Sequence, residues 1–338
     1  MPSLRDLLPL SGKERTRLEA RQRKITNDAF QDAAEHAAQT LKRLPTQDSL
    51  LVRPDFIYRS EVESIRGIAS DRRLPPAKER PPASRLVSPT GLALRFYLTA
   101  LFVAQGQARP GKRYLNELHL DAHDPSVADW VGMVATTAEF GGPGSHLTPR
   151  DKAVRQIQSA LKRLAHPGVG LVQLPHVGRT RDKYEEFLLL HEGGTPYGSR
   201  MNSVGYTVPE TSDVPQLPAG FIRNNWIHVL EDSEIVFLLM LAYTHWRNGT
   251  DGEVAVTGEA RLLHFGLGPQ SYSHAHRLLE RVGLVSVTES MDRFFEGGKV
   301  TGFSADSPPE LHRIQLLPGG FDNPALPTMT EAISQRLG

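Results

Sequence analysis

The chain has 338 residues, with 39 Lys and Arg against 38 Asp and Glu. Its length suggests about two domains, and its near-neutral balance excludes a highly basic nucleic-acid coat or an acidic disordered tail. The absence of cysteine excludes disulfides, thiolate nucleophiles and Cys-ligated metal centres, and a mean hydropathy of −0.34 fits a globular chain with substantial cores.

Residues 12–43 read as one helix with a basic start, in which Lys13, Arg15, Arg17, Arg21, Arg23 and Lys24 face only Glu14 and Glu19. Ala33, Ala34, Ala37, Ala38 and Leu41 then recur at helical spacing. Two readings are open: an amphipathic cap packed on the body, or an arm that touches DNA or a partner. The stretch 74–89 is rich in proline and arginine and reads as linker or extended loop, because proline fixes φ and removes an amide donor. A second linker is expected at 193–220, with Pro196, Pro209, Pro215 and Pro218.

The segments after each linker share one grammar. The first has an apolar helix at 92–104, a strand-like or helical stretch at 114–120 and a short helix at 127–137. A turn at Gly141, Gly142 and Gly144 leads to Thr148-Pro149-Arg150-Asp151, which places an N-cap threonine, a proline at the first helical position and an acid at the third. The helix so started runs over 149–165, and strands at 169–174 and 184–191 form a hairpin after it. The second segment repeats the order: helix 232–247, strand 253–256, helix 258–265, helix 270–282, and strands 283–288 and 311–317. Val169-Gly170-Leu171-Val172 and Val282-Gly283-Leu284-Val285 are the same tetrapeptide, and each follows a Leu- and Arg-bearing helix, as two copies of one unit would.

This element order is that of a winged helix, whose third helix enters the major groove and whose hairpin touches an adjacent groove or the backbone. Such a helix needs one apolar face and one face with long donors. In helix 149–165, Val154, Ile157, Leu161 and Leu164 make the inward stripe. Arg150, Lys152, Arg155, Gln156, Ser159 and Arg163 are the candidate DNA contacts, with Arg and Gln suited to guanine and adenine and Lys and Ser to phosphate. Arg179, Arg181 and Lys183 near the hairpin tip extend the set. In the second unit Ala275, Leu278, Leu279 and Val282 point inward, leaving Gln270, Ser273, His274 and Arg277 as outward candidates. Residues 148–183 hold eight Lys or Arg against two Asp, whereas 258–293 hold four Arg against four acids. Counterion release therefore favours the first unit, and the second binds DNA more weakly or serves protein association.

On the repeated tetrapeptide and helix pattern, the chain resembles the plasmid replication initiators of the tandem winged-helix type, over roughly 91–191 and 220–318. The resemblance implies binding to direct repeats at an origin, homodimerisation, recruitment of host replication proteins and no enzymatic activity.

Other signals carry less. His119, Asp121, His123 and Asp124 would be the best metal-binding or catalytic group, but the stretch fits no ligand signature and looks like a polar loop and cap before a helix. The glycines at 141–144 and 193–194 lack the Lys-Ser/Thr of a phosphate loop. Trp130, Trp226 and Trp246 read as core residues beside apolar helices. The longest apolar run, 235–243, is about half of what a bilayer requires, and no signal-like apolar region opens the chain.

The expected fold is therefore α+β and helix-rich, with two winged-helix domains in tandem. Its parts are an N-terminal helical arm and linker over 1–90, winged helices at 91–192 and 220–318, a linker at 193–219, and a tail at 319–338. The expected function is sequence-specific binding of double-stranded DNA in the cytoplasm, with no metal, cofactor or membrane partner. A transcriptional regulator and a winged-helix protein-interaction module are the alternatives.

Overall fold

The computed structural model describes residues 10–45, 47–60, 73–88, 91–122, 124, 126–135, 148–175, 184–195, 202–289, 294–296, 299–301 and 311–338. It is helix-rich with small antiparallel sheets. Among the described residues, no helix is long and apolar enough to cross a membrane.

The single helix expected over 12–43 is two, α1 (Gly12–Ile25) and α2 (Asp28–Lys42). Asn27 divides them: its backbone is extended and its side chain accepts from Phe30 N at 3.2 Å, so it caps a new helix and the old one ends. Leu18, Ile25, Phe30, Ala34 and Leu41 are buried in the main core. Both helices are packed on the body along one face.

After α2 come β1 (Ser49–Leu51) and the short helix α3 (Pro54–Ile57). The proline-rich stretch is not a linker. It holds a 3₁₀ turn at Ala77–Glu79 and helix α4 (Pro82–Leu86), where proline at the first helical position sacrifices no needed donor. Ala83 and Leu86 are buried, and Arg85 Nη1 donates to Gly168 O and Thr195 O, both at 3.1 Å.

Helix α5 (Ala93–Gln107) is buried nearly all round, with Leu94, Phe96, Tyr97, Leu98 and Leu101 fully covered. Burying each such side chain contributes about 1.5–3 kcal/mol, which makes this helix an organising element of the core. The stretch 114–120 forms neither strand nor helix; Arg113 alone makes a β-bridge, to Thr207. The helix expected at 127–137 is one turn, α6 (Trp130–Met133), capped by Asp129. Helix α7 (Pro149–Leu164) follows the expected bounds, and the antiparallel pair β2 (Val172–Gln173) and β3 (Leu188–Leu189) is shorter than the strands expected there.

The second linker is also built into the body. Leu190 bridges Gly205, Tyr206 N donates to Leu189 O at 3.0 Å, and Arg113 bridges Thr207, so 204–208 lies between the hairpin and Arg113. Farther on, β4 (Gln216–Pro218) pairs antiparallel with β1, Leu50 opposite Leu217. Proline-rich sequence here marks irregular backbone whose Tyr206, Val208, Val214 and Leu217 side chains are buried.

The short helices α8 (Gly220–Arg223) and α9 (Trp226–Val229) lead into α10 (Asp232–Asn248), the second buried helix. Then come α11 (Gly258–Leu263), α12 (Pro269–Arg281), β5 (Val285–Thr288), the pair β6 (Phe294–Glu296) and β7 (Lys299–Thr301), and β8 (Arg313–Leu316). β5 pairs antiparallel with β8, and the strand expected at 253–256 is a single bridge, Val254 to Ile314, on the far edge of β8. The expected tail holds helix α13 (Ala325–Leu337), whose Met329 and Ile333 are buried and which packs on α1 and α9. One hydrophobic cluster spans Leu18 to Ile333, so both segments and the N-terminal helices share a core.

The two tetrapeptides share a left-handed glycine and a leucine that bonds both the preceding helix and the returning strand, but the turns that lead into them differ in length. Gly170 and Gly283 have φ of +64° and +75°; the first lies six positions past the end of α7 and the second two positions past the end of α12. Leu171 N donates back to Leu164 O at 3.0 Å, and Leu284 N to Leu279 O at 2.9 Å. Each leucine carbonyl then accepts from the returning strand, from Leu190 N and Leu317 N, both at 2.9 Å.

Candidate nucleic-acid interface

Helix α7 is fixed at its start by a capping box: Asp151 N donates to Thr148 Oγ1 at 3.1 Å, and Thr148 N donates to Asp151 Oδ2 at 2.9 Å. Ile157, Leu161 and Leu164 are buried as the inward stripe, with Ala153 and Ala160 beside them and Val154 half-buried at its edge. On the opposite side Arg155, Ser159 and Lys162 are exposed, each about one turn from the next, and Lys152 and Gln156 flank them half-buried. Cations and hydroxyls so placed can meet phosphates and base edges.

Two expected contacts on this helix are committed elsewhere. Arg150 turns back into the protein: its Nε donates to Asp121 Oδ1 at 2.7 Å and its Nη2 to Asp129 Oδ2 at 2.6 Å. The hydrogen bond to Asp121, against a smaller cost of desolvation, holds its pKa above the ordinary arginine value. The Arg150 guanidinium thus ties Asp121 and Asp129 to the start of α7, with 38% of its side chain exposed. Arg163 Nη2 donates to Arg85 O at 2.8 Å, bracing the α4 segment. The ammonium of Lys162 lies 5.9 Å from the centroid of Tyr184. Arg179, Arg181 and Lys183 lie outside the described residues.

The His119–Asp124 stretch, set aside as a metal site on its sequence, has its described side chains engaged as follows. Asp121 binds Arg150, Asp124 Oδ1 accepts from Ser126 N at 2.8 Å, and His119 is exposed with Nδ1 3.9 Å from Glu185 Oε2. His123 lies outside the described residues. Trp130 and Trp226 are fully buried, as expected, whereas Trp246 is 37% exposed at the end of α10.

On α12 the inward residues Ala275, Leu278, Leu279 and Val282 are buried as expected. Its polar side does not face open solvent alone. Gln270, His274 and Arg277 line a cleft of about 320 Å³ whose opposite wall is α1, with Lys13, Arg17 and Arg21. Ser273 is half-buried outside that lining. A helix with its side chains is about 10–12 Å across and the major groove about 12 Å wide. Helix α12 therefore enters a groove only if α1 moves aside.

Helix α1 is held in place by ion pairs to the start of α10. Arg21 Nη1 donates to Glu234 Oε1 at 2.8 Å, and its Nη2 donates to Val229 O at 2.8 Å. Arg17 Nε donates to Glu231 Oε1 at 3.1 Å. From the first segment, Arg95 Nη2 lies 3.2 Å from Asp232 Oδ1, and Ser88 N donates to Asp232 Oδ2 at 3.0 Å. Burial, together with Arg95 and Arg21, lowers the pKa of nearby Lys24 to about 8. Sequence reading missed Arg17, Arg21, Glu231, Asp232 and Glu234 as a group. The basic run of α1 and the acids opening α10 are both visible in sequence, but nothing local says that they pair.

Comparison of the chain with protein-family models, curated proteins and solved structures returned no match.

Proposed function

We propose that this protein binds double-stranded DNA through α7, with the β2–β3 hairpin as its wing. The observation that carries the reading is the exposed Arg155–Ser159–Lys162 ridge on a helix whose opposite face is docked and whose start is capped. The left-handed glycines Gly170 and Gly283, and the single bridge that Val254 adds on the far edge of β8, support reading both segments as winged helices. Within that reading the chain is a replication initiator that binds origin repeats as a homodimer and recruits host replication proteins.

A second reading applies to the second unit. With α12 turned toward α1, that unit serves protein association while the first unit contacts DNA.

The test is a titration of the full chain with cognate and scrambled duplexes at several salt concentrations. Binding should weaken steeply with salt, and Arg155→Ala should cost about 1–3 kcal/mol on cognate DNA and less on scrambled DNA. Salt-independent binding, or equal losses on both duplexes, overturns the assignment of α7 as the reading helix.

A further inference from the structure

The cleft between α1 and α12 has a chemistry of its own. Its lining comprises Lys13, Arg17, Arg21, Arg277 and Arg281 against two carboxylates, Glu14 and Glu234. Glu234 is engaged by Arg21, and Glu14 lies 3.8 Å from Arg336 Nη2 on α13. The net charge of the lining is positive. Between these walls sit His274 and Gln270, which supply donors from the first two turns of α12. Leu18 and Leu278 also line the cleft and add apolar surface. A volume of about 320 Å³ lies at the small-ligand end of binding cavities.

We propose that this cleft binds a free phosphorylated small molecule of about nucleotide size, with Lys13, His274 and Arg277 contacting its phosphate groups. Arginine and lysine both suit phosphate, the first through paired N–H donors and the second as a point charge. Because α1 closes the side of α12 that a duplex would approach, the phosphate comes from a small molecule and not from a DNA backbone. The site is separate from the α7 ridge and stands whether or not that ridge reads DNA.

His274 gives a direct reporter. Burial first, and then Arg17 and Arg277, lower its pKa, against the opposing pull of Glu231 and Glu14. Glu234 is the remaining carboxylate lining the cleft. A phosphate dianion there adds negative charge next to the ring and raises that pKa.

The experiment titrates the full chain with pyrophosphate and with ADP by calorimetry, and follows the His274 ring protons by NMR across pH. Saturable binding is expected, with an upward shift of the His274 titration on occupancy. Lys13→Gln, at an exposed position, should weaken binding about tenfold, equivalent to about 1.4 kcal/mol. Arg277→Gln should do the same, with thermal unfolding checking that the fold is kept. The proposal is overturned if neither probe saturates, if Lys13→Gln leaves affinity unchanged, or if the His274 titration does not move. Displacement of pyrophosphate by a duplex would also overturn it, by assigning the cleft to backbone phosphate.

Discussion

Arg21 on α1 and Glu234 on α10 form an ion pair whose side chains are only 7% and 1% exposed, joining helices more than two hundred positions apart in sequence. Glu234 also accepts from Glu231 N at 2.7 Å, so the same carboxylate closes the start of α10. A buried charge that loses its partner keeps its desolvation cost and loses its compensation. Glu234→Gln or Arg21→Ala should each destabilise the fold by about 3–5 kcal/mol. The double variant Arg21→Met/Glu234→Leu should lose less than either single change, because no buried charge remains. Urea unfolding of the three variants checks this, and additive losses would refute it.

Arg150 and Arg155 differ by five positions and should respond oppositely. Arg150→Ala leaves the buried Asp129 carboxylate without its cation and should cost about 1–3 kcal/mol of stability. Arg155 is exposed, so Arg155→Ala should change stability by less than about 0.5 kcal/mol while reducing duplex affinity. Unfolding and binding measured on both variants separate the roles.

Two buried groups give opposite pH responses. Burial raises Glu192 to about 7, partly offset by Arg53, whose Nη1 donates to Glu192 Oε2 at 2.6 Å. Between about 4.5 and 7 the folded state holds this proton more tightly than the unfolded state, so Glu192's contribution to stability falls as pH rises. The stability of Glu192→Gln relative to the parent should therefore increase across that window, as denaturation midpoints at stepped pH would show.

His228 works the other way. Burial, with Arg95 and Lys24 nearby, lowers it to about 3, and neither ring nitrogen has a hydrogen-bond partner among the described residues. Between about 3 and 6.5 the unfolded chain binds the extra proton, so this group's contribution is lost as pH falls. His228→Leu should flatten the acid limb of the stability profile. An unchanged acid limb in stepped-pH unfolding would exclude His228 as its source.

The paired glycines make a graded prediction. Both have positive φ, which costs an L-residue about 1–2 kcal/mol. A Cβ at Gly283 would meet nothing within 4 Å, whereas one at Gly170 would run into Thr195 Oγ1. Gly283→Ala should therefore cost about 1–2 kcal/mol and Gly170→Ala clearly more. Equal losses in urea unfolding would show that the two tetrapeptides do not differ in this way.

What was legible in the sequence was local. Thr148-Pro149-Arg150-Asp151 announced α7, the apolar run after Asp232 announced α10, and the repeated tetrapeptide marked two left-handed glycines ahead of a strand. The misread parts depend on distant partners. Pro82–Leu86 looked like linker because its burial comes from side chains elsewhere in the fold, and Gln216–Pro218 because its ladder partner is β1. Arg150 looked like a free cation because Asp121 and Asp129 occupy it only once the loop folds back. Gln270, His274 and Arg277 fall on the polar side of their helix, as periodicity implied, but periodicity cannot tell water from α1 across a cleft.

The pairing of β1 with β4 also sets an order of events during synthesis. Ser49 Oγ donates to Gln216 Oε1 across 167 positions, so β1 leaves the ribosome long before its partner exists. At roughly 5–20 residues per second, that interval is about 8–35 s. Helix α1 waits longer still, since its neighbour α13 ends at Leu337. The first helix made is among the last to be locked: α2 meets α6 early, but a nascent chain halted before residue 216 would carry α1 without its partners, open to chaperones and proteases.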